Sequence, residues 1–226
     1  MPDTKRDIMI FAAGFGTRMA PLTDAQPKPL IKVAGTPLID HAIAMAEEAA
    51  SQIHVNAHYR ADQLEAHLPD KITTHIETPD ILDTGGGLKA ALPKMQGDSV
   101  FTLNPDAIFA GPNPIQLLTD AWQDHMEALL LIIPLTQTVG YTRPGSFSQD
   151  PNGALRYDPA GLAYTGAQII RRTVVEEVKE PVFSLTKVWQ GLLDRKTAFG
   201  VTYPGRWADV GTPDGIALAE EMLRDV

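Results

Sequence analysis

Short apolar runs of strand length alternate with helical stretches through the first half of the chain, which predicts an α/β fold with a mostly parallel central sheet flanked by helices. A glycine-bearing turn, Gly14-Phe15-Gly16, follows the first apolar run directly, as expected where a strand of such a sheet delivers the chain to a ligand. At 226 residues and 44% hydrophobic content, the chain can bury a substantial core as a single domain.

The elements are predicted in order. Strand 8–13 is followed by helix 37–50, strand 52–57, helix 62–67, strand 72–77, helix 86–92 and strand 99–103, each apolar run having strand length and each intervening stretch helical character. Residues 113–124 read as a further helix, because Asn113 is a good cap and Pro114 suits the first helical position. Residues 127–135 then form a buried strand. From 136 to 164 the pattern breaks into Gly, Pro, Ser and Asn, which predicts loops, a hairpin and an inserted flap that binds one of the reactants. Strand 162–170, helix 184–194, strand 198–203, a short strand at 207–210 and a closing helix at 213–223 complete the chain.

The turn after the first strand carries the chemistry. Gly14 and Gly16 allow backbone N–H groups to approach a ligand that side chains would otherwise hold off, and Arg18 follows two residues on. Lys28 stands between Pro27 and Pro29, so a stiff, extended segment is expected to aim it. Together these residues make a phosphate grip. It is not a dinucleotide fingerprint, since Met19 stands where the third glycine would fall, and no Gly-Lys-Ser/Thr makes it a P-loop. A nicotinamide-dependent oxidoreductase is disfavoured accordingly.

Two aspartates are the candidate metal ligands. Asp106 follows the buried strand that ends at Leu103, and Asp209 lies inside the apolar stretch Trp207-Ala208-Asp209-Val210. A carboxylate so placed needs a cation, and one or two carboxylates plus substrate phosphates is the usual magnesium arrangement. The histidines give a weaker signal: His58 lies at a strand end facing the site, while His41, His67 and His125 are assigned to packed or solvated surfaces.

Composition limits the partners. A formal net charge of −9 opposes binding to nucleic acid or to an anionic membrane, but not to a nucleotide held by local donors and a divalent cation. The polar N-terminus and the lack of a long apolar stretch predict a cytoplasmic protein with no membrane partner. Zero cysteines exclude disulfides and thiolate chemistry.

The pattern Gly14-x-Gly16-x-Arg18-Met19-x-Pro21-Leu22-Thr23, followed by Pro27-Lys28-Pro29-Leu30, resembles the signature of the sugar-1-phosphate nucleotidylyltransferases. Asp83-Thr84-Gly85-Gly86-Gly87, Asn104-Pro105-Asp106 and Trp207-Ala208-Asp209-Val210-Gly211-Thr212 are similar to the small bacterial subgroup that includes N-acetylmuramate-1-phosphate uridylyltransferase. The resemblance implies a Rossmann-like nucleotide-diphospho-sugar transferase fold over 1–226, with a nucleotide half at 1–110 and a sugar-phosphate half at 111–226. It implies transfer from a nucleoside triphosphate, with UTP preferred, to a sugar 1-phosphate, with N-acetylmuramate 1-phosphate preferred over glucose or mannose 1-phosphate. Guanylyl or thymidylyl transfer is the alternative within the family. No long C-terminal extension is present to build a trimer, so a monomer is expected.

Carried onto this sequence, the resemblance assigns Arg18 and Lys28 to the reacting phosphates and Mg2+ to Asp106 and Asp209. It places Ala13, Gly14, Gly16, Thr17, Thr84, Gly85, Gly86 and Asn104 on the nucleotide, and Tyr164, Thr165 and Gly166 on the sugar side. The glycines at 85–87, read as leading into a helix, are expected to offer free amides to the base. Pro105 departs from the family pattern, which has glycine there, and the missing N–H raises a second possibility: a nucleotide-sugar sensor that turns over poorly.

Overall fold

The computed structural model describes residues 6–225. Its elements run β1 (Ile8–Phe11), β2 (Lys32–Val33), β3 (Thr36–Pro37), α1 (Leu38–Glu47), β4 (Ile53–Ala57), α2 (Ala61–His67), β5 (Thr73–Ile76), α3 (Asp83–Ala91), β6 (Ser99–Leu103) and β7 (Ala107–Ala110). Then follow α4 (Pro114–Ala121), β8 (Ala128–Ile133), β9 (Thr138–Val139), β10 (Phe147–Gln149), β11 (Leu155–Tyr157), β12 (Ala163–Arg171), α5 (Arg172–Glu176), α6 (Leu185–Arg195), β13 (Ala198–Thr202), β14 (Arg206–Asp209) and α7 (Pro213–Arg224).

The central sheet has seven strands in the order β13-β8-β12-β6-β1-β4-β5. All neighbours are parallel except β12, which runs antiparallel to both β6 and β8. The mostly parallel sheet expected from the sequence is therefore present. Its strands are buried on both faces: Ile8, Met9 and Ile10 are fully inaccessible, each such side chain contributing about 1.5–3 kcal/mol. One face packs on α1, α2 and α4, the other on α3, α5 and α6.

A third core forms where α7 closes over β7, β9 and β14, burying Met19, Ile108, Ala208, Val210, Ala219 and Met222. It explains why a stretch that sequence patterning missed is a strand. Strand β7 is continuous with the predicted turn after β6, and it has strand form because it pairs antiparallel with β14. The two-residue strands β2 and β3 and the single turn α5 are likewise too short to carry a period.

Local chemistry sets the helix ends. The Asn113 side chain accepts from the amides of Ile115 and Gln116 while its own amide donates to the Met45 carbonyl, which caps α4 and ties it to α1. Ser184 caps α6 through Thr186 N–H, and that helix buries Leu185, Val188 and Leu192 at helical spacing. Among the described residues no helix is long and apolar enough to cross a membrane.

Candidate active site

The strand order reverses at β1, whose neighbours β4 and β6 lie on opposite sides, and ligands of open α/β sheets gather at such a switch point. The turn after β1 and the Asn104-Pro105-Asp106 turn after β6 flank that crevice and line one cavity of about 340 Å³. Ala13, Gly14, Gly16, Thr17, Arg18, Lys28, Thr84 and Asn104 all border it. A second cavity of about 290 Å³ shares Arg18, Asn104 and Asp106 with the first and adds Tyr164, Thr165, Gly166 and Asp209. Apart from Gly85 and Gly86, the predicted site residues thus fall into two adjoining lobes.

Gly16 lets the cations approach. It has φ +64°, and a Cβ there would lie 2.8 Å from Lys28 Cβ and 3.0 Å from Thr23 Cγ2. Lys28 itself begins a single 3-10 turn, Lys28–Leu30, set between extended Pro27 and extended Ile31, rather than lying on an extended segment. Its Nζ donates to Asp106 Oδ2 at 2.5 Å. Arg18 makes no ion pair among the described residues and lies against Gly211, between the lobes.

The two aspartates meet because β7 and β14 pair. Ala107 stands opposite Asp209, and Val210 N–H donates to the Asp106 carbonyl at 3.0 Å. Burial, and secondarily the charge of Asp106, push the Asp209 carboxyl above its usual range against the pull of Arg143 and Lys28. Two mutually repelling carboxylates with oxygen-only donors suit a hard divalent cation. Among the described residues no group of three or more His, Cys, Asp or Glu side chains is placed to hold a metal ion.

On the sugar side, Gly166 has φ +91° at an irregularity in the β12–β8 register, and a Cβ there would strike Asn104 at 2.9 Å. The glycine lets Gly166 carbonyl accept from Asn104 N–H, so β12 seats the turn that carries Asp106. Tyr164 packs edge-on against Trp189, and burial pushes its phenol well above the ordinary range, so it remains a proton donor. Thr165 lines the lobe only through the remainder of the residue, its hydroxyl being turned away to donate to Leu131 carbonyl.

The glycines at 85–87 are a correction. They lie within α3, whose first turn already includes Asp83, and the amides of Gly85 and Gly86 both donate to Phe183 carbonyl. A Cβ at Gly85 would meet the Phe183 ring at 2.3 Å, and one at Gly86 would meet the Pro181 carbonyl at 2.3 Å. Here the triple glycine lets the 181–183 segment cross the helix, and its amides are not free for a base. Thr84 does face the nucleotide lobe.

Several contributors escaped the sequence reading. Asn56 accepts from Ala12 N–H and donates to Glu77, whose other oxygen accepts from Leu82 N–H, each at 2.7 Å. This buried network braces the ends of β1, β4 and β5; a polar residue at each strand end was its only sequence signal. Tyr141 and Arg143 also line the second lobe, whose wall includes Trp189 and Trp207, tryptophans whose sequence reading is core or pocket wall. His58 instead packs against Phe15 and bonds to Glu77 carbonyl, a structural role. Pro105 costs the turn no bond, because the closing donor is Ala107 N–H to Asn104 carbonyl.

Residues 8–189 match the family model described as MobA-like NTP transferase domain. The chain belongs to this family. It is 33% identical to an N-acetylmuramate alpha-1-phosphate uridylyltransferase from Caulobacter vibrioides, covering 100% of both chains. It is 31% identical to the protein of that name from Neisseria meningitidis serogroup B, covering 90% of this chain and 92% of the other. A solved UDP-glucose pyrophosphorylase complexed with UDP-glucose superposes with a TM-score of 0.78 at 17% identity, over 98% of this chain and 99% of that one, and shares the fold. This MobA-like chain is thus a sugar-1-phosphate nucleotidyltransferase, the class its signature resembles.

Proposed function

We propose that this protein transfers a uridylyl group from UTP to N-acetylmuramate 1-phosphate with Mg2+ bound by Asp106 and Asp209. The full-length similarity to two uridylyltransferases of that name supports the substrates. The observation that carries the reaction class is the convergence of Asp106 and Asp209 beside Lys28 and Arg18 at the sheet's switch point.

In this reading the nucleotide occupies the lobe under the glycine turn and the sugar phosphate the lobe lined by Tyr164 and Gly166. An oxygen of the sugar phosphate attacks the α-phosphorus of UTP, a new P–O bond forms, and the bond to the bridging oxygen of pyrophosphate breaks. No general base is needed, since the attacking phosphate is ionised at neutral pH. The work of the chain is to align anions and offset their repulsion. Lys28, held by Asp106, faces the meeting point of the two phosphates. Arg18, without an ion pair among the described residues and bordering both lobes, presents a fork of donors to the departing pyrophosphate. Bound at the two carboxylates, magnesium would supply Lewis-acid neutralisation of phosphate oxygens.

The test is a matrix of five nucleoside triphosphates against N-acetylmuramate, N-acetylglucosamine, glucose and mannose 1-phosphates with Mg2+, reading pyrophosphate release. UTP with N-acetylmuramate 1-phosphate should exceed every other pair by at least ~10-fold. A different winning pair would overturn the substrates, and nucleotide binding without pyrophosphate from any pair would favour the sensor.

A further inference from the structure

Arg143 sits on the surface loop 140–146 with its side chain 57% exposed, yet its Nη2 donates at 2.8 Å to Oδ2 of Asp209, a carboxylate only 10% exposed. A surface arginine has no need of a partly buried partner in order to be solvated, and exposed pairs stabilise folds little. The loop that carries it is fastened at both ends. Gly140 lies close to the Asp209 carbonyl, Gly145 packs on the backbone of Gly161, and Ser146 N–H donates to Leu162 carbonyl at 2.8 Å. Between these anchors the Tyr141 hydroxyl donates to Pro144 carbonyl, and the Arg143 guanidinium lies 4.9 Å from the centre of the Tyr141 ring. The loop is therefore held while the long side chain reaches out from it over an aromatic face.

Each candidate metal ligand is thus covered by one organic cation, Lys28 on Asp106 and Arg143 on Asp209. Lys28 is only 15% exposed and is tucked against Gly16, whereas the Arg143 side chain lies mostly in solvent. Arg143 also lines the acceptor lobe, where Arg18 is the other cation. We propose that Arg143 is a placeholder: it neutralises Asp209 until a divalent cation binds there, then turns across Tyr141 to bind the phosphate of the sugar 1-phosphate. The inference rests on the nucleotidyltransferase reading above and gives the acceptor phosphate a further cationic ligand besides Lys28.

The test combines two equilibrium measurements on the whole protein. Mn2+ binding without nucleotide is followed by electron paramagnetic resonance for wild type, Arg143→Gln and Arg143→Lys, and binding of N-acetylmuramate 1-phosphate with saturating Mg2+ by calorimetry. Removing the competing charge should tighten Mn2+ binding by about 2- to 5-fold in Arg143→Gln, with Arg143→Lys close to wild type. The sugar phosphate should bind Arg143→Gln roughly 10-fold more weakly, partly restored by lysine. Unchanged or weaker Mn2+ binding in Arg143→Gln, or unchanged sugar-phosphate binding, would overturn the proposal. If wild type itself does not bind this sugar phosphate, the substrate reading fails, and the Mn2+ titration alone decides whether Arg143 is a placeholder.

Discussion

The wall of the cleft around the glycine turn is fastened by buried groups, whereas the wall facing it across the aspartates is carried on exposed loops. On the nucleotide side, Ala12, Asn56, Glu77 and Leu82 are joined by three hydrogen bonds of 2.7 Å, with Asn56 and Glu77 almost inaccessible. On the acceptor side, Tyr141, Arg143 and Ser146 come from one surface loop and Trp189 from a helix, and the Arg143–Asp209 pair is half in solvent. In the proposed reading, a preorganised wall suits the holding of the triphosphate. A loop-borne wall can change with the acceptor without disturbing the sheet.

The comparison is broken most severely by removing the two aspartates proposed as metal ligands between the walls. Asp106→Ala and Asp209→Ala should each lower turnover by ~10³-fold or more while circular dichroism and cooperative unfolding persist; substantial remaining Mg2+-dependent activity in either would refute its assignment as a ligand. Next in size is the brace of the nucleotide wall. Asn56→Ala leaves Ala12 N–H and a Glu77 oxygen unpaired in the interior and should cost about 2–4 kcal/mol in denaturant unfolding, with weakened nucleotide binding. If it costs no more than a surface substitution, the nucleotide wall is not fastened as described.

The acceptor wall should answer differently. Trp189→Phe removes the bond from Nε1 to Gln168 Oε1 and trims the Tyr164 contact, so the KM for the sugar phosphate should rise by about 3- to 10-fold with the KM for nucleotide unchanged. A parallel change in both constants would erase the distinction between the lobes. A further effect concerns pH and lies away from the site. Buried His54 and partly buried His75 share a 2.9 Å hydrogen bond, and burial, then the charges of His54 and Lys94, hold His75 down at about 4. Because the unfolded imidazole is the better base, the unfolded chain binds more protons between the ordinary histidine value near 6.5 and about 4. Stability should therefore be intact above that window and fall by up to about 2 kcal/mol as pH drops through it. His75→Gln should flatten the decline, as read from urea midpoints at pH 7 and pH 5.

Much of the fold was legible because long elements bury regular faces. Strand 99–103 coincides with β6, helix 184–194 with α6 to within a residue, and the Asn113-Pro114 cap does what its chemistry predicts. The misreadings share a cause. Lys28 bends into a 3-10 turn, the helix expected from residue 86 starts at Asp83 with the Gly85 and Gly86 amides taken by Phe183, and residues 107–110 become a strand through pairing with β14, none of which a local period encodes.

By itself the sequence determined the alternation of strands and helices, the phosphate-gripping turn and the residue types able to hold a divalent cation, because hydrophobic period, glycine spacing and side-chain chemistry are local properties. Only the tertiary structure decided that Asp106 and Asp209 would share one space, that Arg143 would reach one of them, and that the triple glycine would be spent on packing against Phe183. Those outcomes depend on which strands pair and which segments cross, and these are set by burial of the whole core rather than by any window of the chain.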